Sequence, residues 1–158
     1  MNTHEERMCE LQADIFELSA DRFPCSSLFF ISRYMRSDVA KQFDNIDDDY
    51  NYISIEEAFD SLEKAYPSLK KESDKKIPYP VLRWIGYIYR CYCIRKRKKS
   101  LWLYKELKTE KLLVLYEAFH TFDPDDCVDR IEEIILQNKP AKSSDYEIFR
   151  AIRLGLQQ

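Results

Sequence analysis

The chain has 158 residues, 45% apolar and 34% charged, with a net charge of −3, which excludes a disordered or collagen-like polymer. That length predicts one domain, 1–158, able to bury a core without a disulfide or metal staple. Its two glycines, Gly86 and Gly155, speak against a glycine-rich phosphate loop and against β folds built on tight turns.

Apolar spacing is helical from the start. Met8, Leu11, Ile15 and Leu18 recur at three and four, while Glu5, Glu6, Glu10, Asp14 and Glu17 mark the wet face. Pro24 breaks that helix, and Ser26 or Ser27 can cap the next, whose stripe is Leu28, Ile31 and Met35. Ser37 or Asp38 can cap a short helix holding Val39, Ala40 and Phe43. Asp44 to Tyr52 reads as an acidic loop containing Asp47, Asp48 and Asp49. Ser54 and Glu57 then form a capping box for a helix with Ile55, Phe59 and Leu62 inward. Lys70 to Lys76 is a polar linker.

Pro78 and Pro80 lead into a central helix over about residues 80–98, apolar nearly all round from Val81 to Ile94, the pattern of a helix enclosed by others. Trp84, Ile85, Ile88 and Tyr89 are expected in its core. Ser100 can cap a short helix with Leu101, Leu103 and Leu107, and Thr109 can cap another with Leu112, Tyr116 and Phe119. Asp123-Pro124-Asp125-Asp126 is a strong helix start, and Val128, Ile131, Ile134 and Ile135 supply that helix's inner face. A last helix carries Tyr146, Phe149, Ile152 and Leu154. No period-2 alternation or fixed repeat is evident, so the fold is expected to be all-α, seven or eight helices around one core.

Charge is unevenly placed: net −6 over residues 1–50, +6 over 51–100 and −3 over 101–158. The basic middle includes Arg95, Lys96, Arg97, Lys98 and Lys99. That run reads either as phosphate contacts for a nucleic acid or as cations at the negative end of a solvated helix. Arg83, Arg90 and Arg97 are seven residues apart and share a stripe with Gly86. One reading is an arginine-flanked notch at Gly86 and Tyr87 that accepts a partner's carboxylate or phosphate. The other is a close helix crossing at Gly86, with Arg83 and Arg90 paired to acids of the same chain.

Catalytic chemistry finds little footing. His120 and Asp123 could suggest a base with an orienting acid, but Asp123 is expected to cap a helix. Five cysteines without a C-x-x-C pair and two distant histidines give no zinc spacing, and the aspartate cluster lacks the alternation of a calcium loop. These features predict a non-enzyme without metal or cofactor, whose thiols serve as small core residues in a reducing cytoplasm. No window is apolar enough to span a membrane.

Three stretches carry a family resemblance: Phe30-Ile31-Ser32-Arg33-Tyr34-Met35-Arg36-Ser37-Asp38-Val39-Ala40, Trp84-Ile85-Gly86-Tyr87-Ile88-Tyr89-Arg90-Cys91-Tyr92-Cys93 and Tyr116-Glu117-Ala118-Phe119-His120-Thr121-Phe122-Asp123. In them the chain resembles small helical bacterial proteins that accompany toxin-like genes as antitoxin or immunity partners. The resemblance implies a cognate protein partner, toxin-like and nucleotide-modifying or ADP-ribosyltransferase-like, and no catalytic residues. Binding is therefore expected to centre on Arg83, Gly86, Tyr87 and Arg90, with Asp47, Asp48 and Asp49 facing a basic cleft of the partner. A nucleic-acid-binding accessory using residues 95–99 is the alternative.

Overall fold

The computed structural model describes residues 1–45, 52–139, 152, 153 and 155. Among them are eight α-helices and no strand, as the spacing predicts: α1 (Thr3–Arg22), α2 (Ser27–Arg36), α3 (Asp38–Asp44), α4 (Ile55–Ala65), α5 (Tyr79–Lys96), α6 (Ser100–Glu106), α7 (Thr109–Phe119) and α8 (Pro124–Gln137). A single 3₁₀ turn, Pro67–Lys70, follows α4. Packing divides the chain into two compact units, Met1–Val128 and Asp129–Gln158. The acidic loop at Asp47, Asp48 and Asp49, and most of the expected last helix, lie outside the described residues.

Helix starts follow local hydrogen-bond chemistry. Ser26 accepts from the Phe29 amide, Ser37 from the Ala40 amide, and Ser54 and Glu57 close their capping box reciprocally. A second capping box, Asn2 with Glu5, opens α1. Asp123 takes the Asp125 amide at 2.9 Å as α8 begins. Two expected caps are corrected. Lys99 and Lys108, not Ser100 and Thr109, occupy the cap positions of α6 and α7, because both hydroxyls are drawn into buried contacts. Asp44, at the end of α3, does the capping of α6 instead: its carboxylate accepts from the Ser100 amide at 3.0 and 3.1 Å.

In Met1–Val128 the centre is the pairing of α1 with α5. The two run antiparallel: Arg90 reaches Gln12, Arg83 reaches Asp14 and Glu17 two and five residues further along α1, and Tyr79 reaches Asp21. Cys9, Ala13 and Phe16 on α1 and Leu82, Ile85 and Tyr89 on α5 are all buried. Beside them an aromatic cluster locks α1, α2 and α4. Phe16 meets Tyr34 edge-on at 4.9 Å, Phe23 stacks on Phe30 at 5.5 Å, and Phe59 meets Phe23 at 5.3 Å. All five cysteines are free thiols and buried. In Asp129–Gln158, the remainder of α8 keeps Ile131 and Ile135 buried and Leu136 half exposed. No described helix is long and apolar enough to cross a membrane.

Ile85, Ile88 and Tyr89 are core residues as expected, but Trp84 is only half-buried, because it stands where α5 turns an open flank towards α7.

Candidate functional site

At Gly86 α1 and α5 approach closely. A methyl group there would stand 2.8 Å from the Gln12 backbone oxygen and 2.9 Å from Phe16 Cγ. The Gln12 side chain returns across the contact and donates from Nε2 to the Gly86 carbonyl at 2.9 Å. Gly86 is thus filled by the chain's own helix, and the crossing reading applies to it.

Arg90 is fully buried, one turn further along the same stripe. Its guanidinium donates from Nε to Gln12 Oε1 at 3.0 Å, from one terminal nitrogen to Asp44 Oδ1 at 2.8 Å and from the other to Ser100 Oγ at 2.7 Å. Tyr34 donates to the same Gln12 oxygen at 2.9 Å, and the Phe43 ring lies 5.3 Å from the guanidinium carbon. Among the described residues, every buried side-chain nitrogen and oxygen has a partner. Arg90 therefore ties α1, α2, α3, α5 and α6 together, and its expected place at a partner surface is corrected: the charge is spent inside.

Arg83 is the exposed end of this stripe. It is bonded to Glu10 and Asp14 and lies 3.1 Å from Glu17. Hydrogen bonding to Asp14 holds the guanidinium protonated well above its ordinary range. Three carboxylates share this one guanidinium and outnumber it. An incoming carboxylate or phosphate would be repelled there, so the expected anion-accepting notch is replaced by a locally acidic surface.

What the stripe borders is an aromatic groove of about 420 Å³. Trp84, Tyr87 and Ile88 line it from α5; Tyr116 near the end of α7, His120 at its cap, Phe122 in the turn that follows and Pro124 at the start of α8 line it from the other side. Glu10 and Arg83 sit on its α1 side. Trp84 meets Tyr116 edge-on at 5.5 Å, and Tyr116 stacks on His120 at 4.4 Å. Phe122 stacks against Phe119 at 5.8 Å and remains 40% exposed. Burial pushes the Tyr87 phenol up, and the charges at Glu10 and Glu6 reinforce the shift.

This groove contains Tyr87 and Arg83 of the expected binding residues, and it adds Trp84, Tyr116, His120 and Phe122. The sequence held a signal for two of these. Tyr116 and His120 are four apart and share a helix face, which only the α5–α7 packing turns towards Trp84. The ring of His120 lies 2.7 Å from the Tyr116 carbonyl oxygen through Nδ1, and Asp123 faces the α8 amides, so the two do not form an acid–base pair. No group of three or more metal-ligating His, Cys, Asp or Glu side chains occurs among the described residues.

The basic run splits on folding. α5 ends at Lys96, and Arg97 adopts a left-handed conformation, φ 52°, that closes the helix. Arg95 pairs with Asp125, Lys98 lies 4.7 Å from the Trp102 ring, and Lys99 holds the cap position of α6. The five cations therefore do not form one helical face. No protein-family model, curated protein or solved structure matches the chain.

Proposed function

We propose that this protein is a non-catalytic binding module that docks a protein partner in the α5–α7 aromatic groove, acting as an antitoxin- or immunity-type restraint that occludes a toxin-like cognate protein. The single observation that carries the reading is the groove itself. Half-buried Trp84, Tyr87 and Tyr116 are rigid amphipathic rings held open at the surface, the side chains that concentrate binding energy at protein interfaces. The rings are positioned by a core that does not depend on a partner, so docking requires little reordering.

Co-expression with the products of neighbouring genes tests this. The expected result is one co-purifying protein that is toxic when expressed alone, whose toxicity the wild-type chain relieves and the Trp84→Ala and Tyr116→Ala variants do not. Retention of the partner by both variants, at wild-type strength, would remove the groove from the interface. The nucleic-acid alternative is tested in parallel by mixed DNA and RNA at low salt, with reversal of Arg97, Lys98 and Lys99 as the control.

A further inference from the structure

We propose that the groove takes a cation: an arginine or lysine side chain from a basic segment of the partner protein, laid against Trp84 and Tyr116 with Glu10 at the mouth. The inference rests on the docking reading and adds the chemistry of the occupant.

Three observations converge. The rings of Trp84 and Tyr116, 5.5 Å apart and nearly perpendicular, offer an aromatic corner in which a cation can lie within about 6 Å of both. The charge beside this corner has the complementary sign, since Glu10 at the groove, with Asp14 and Glu17 next to it, outnumber Arg83. The volume, about 420 Å³, lies in the range of roughly 300–1,000 Å³ typical of ligand clefts and leaves room for a whole long side chain. The chain satisfies aromatic faces with its own cations elsewhere, Arg33 over Phe29 at 4.6 Å and Lys108 over Tyr104 at 4.3 Å, so the same pairing is already part of its surface chemistry. An anionic or nucleic-acid occupant would meet the acidic side of α1 and be disfavoured.

The test is fluorescence anisotropy with two labelled peptides of equal length, one alternating Arg and Lys with Gly, the other alternating Glu and Asp with Gly. The full-length chain is expected to bind the basic peptide and not the acidic one. Trp84→Ala and Tyr116→Ala should weaken binding about threefold to thirtyfold, the range a cation over an aromatic face supplies. Glu10→Lys should weaken it further. Raising salt from about 0.01 M to about 0.15 M, which shortens the screening length from about 30 Å to about 8 Å, should weaken wild-type binding as well. Phe122→Ser, at an exposed ring, provides a groove variant with little risk to folding, and circular dichroism confirms the fold of each variant. Preference for the acidic peptide, absence of binding to the basic one, or equal binding by wild type, Trp84→Ala and Phe122→Ser overturns the inference. A co-purified partner that depends on Trp84 but is indifferent to Glu10→Lys and to salt would overturn the cation while leaving docking intact. A partner indifferent to Trp84, Tyr116 and Phe122 alike would overturn both.

Discussion

Replacing Gly86 by alanine probes the crossing on which the fold turns. In an ordinary helix this change stabilises by about 1 kcal/mol. Here the new methyl would lie 2.8 Å from the Gln12 carbonyl oxygen and 2.9 Å from Phe16 Cγ, about 0.7 Å inside the ~3.5 Å at which carbon contacts become favourable. The nearest atom is backbone, so no rotamer change relieves it. α1 must move away from α5 as a body, stretching the bond from Gln12 Nε2 to the Gly86 carbonyl and loosening Phe16. Overpacking of this kind costs about 1–3 kcal/mol and a weakened buried hydrogen bond about 0.5–1.5 kcal/mol, against about 1 kcal/mol gained in helix propensity. The net expectation is a loss of about 1–3 kcal/mol, or roughly 2–12 °C in Tm for a chain of this size. Urea melts followed by circular dichroism measure it. Gly155→Ala, which meets nothing within 4 Å, is the matched control and should cost nothing. A Gly86→Ala protein as stable as wild type, or more so, would refute the claim that the glycine exists for the helix crossing.

Arg90→Met should destabilise by about 3–5 kcal/mol in the same assay, because it leaves the Asp44 carboxylate, 4% exposed, without its cation. Ile88→Ala, at a 2% exposed position, should cost about 2–5 kcal/mol. Arg97→Gly should raise stability by up to about 1 kcal/mol, since the left-handed conformation at φ 52° strains any side chain with a Cβ. Alkaline pH should unfold the protein cooperatively. Burial pushes the Tyr34 and Tyr89 phenols up, so the folded state keeps protons that the unfolded state sheds above about pH 10, and their contribution to stability, complete below that pH, falls as pH rises towards the folded values. Tyrosinate absorbance should include a phase coincident with loss of helix; complete ionisation while the helix signal is intact would contradict it.

The helices were legible because their signals are local. Ser54 with Glu57, Asp123 with Pro124 and the three-four spacing of α1 each act within one or two turns. The misplaced caps show the limit of such signals. Ser100 and Thr109 have good capping chemistry, yet Asp44 with Arg90 and the Tyr89 hydroxyl, respectively, claim their oxygens across the core. The stripe of Arg83, Gly86 and Arg90 was also visible, but its meaning depended on what faced it. Only the antiparallel placement of α1 puts Gln12 on Gly86 and Arg90 and three carboxylates on Arg83, turning an apparent anion notch into a sealed crossing with an acidic end. The groove was hidden for the same reason. Trp84 reads as core on an apolar helix, and nothing local reports that α7 leaves it half open beside Tyr116.

The most direct measurement uses the two tryptophans as built-in reporters. Trp84 lines the groove and Trp102 lies under Lys98 in the basic segment, so the nitrogen-labelled protein gives two indole N–H signals, assigned with a Trp102→Phe variant. Titration with the basic peptide should move the Trp84 signal and leave Trp102 in place. A shift confined to Trp102, or no shift at Trp84 at saturating peptide, would contradict docking of a cationic partner in the aromatic groove.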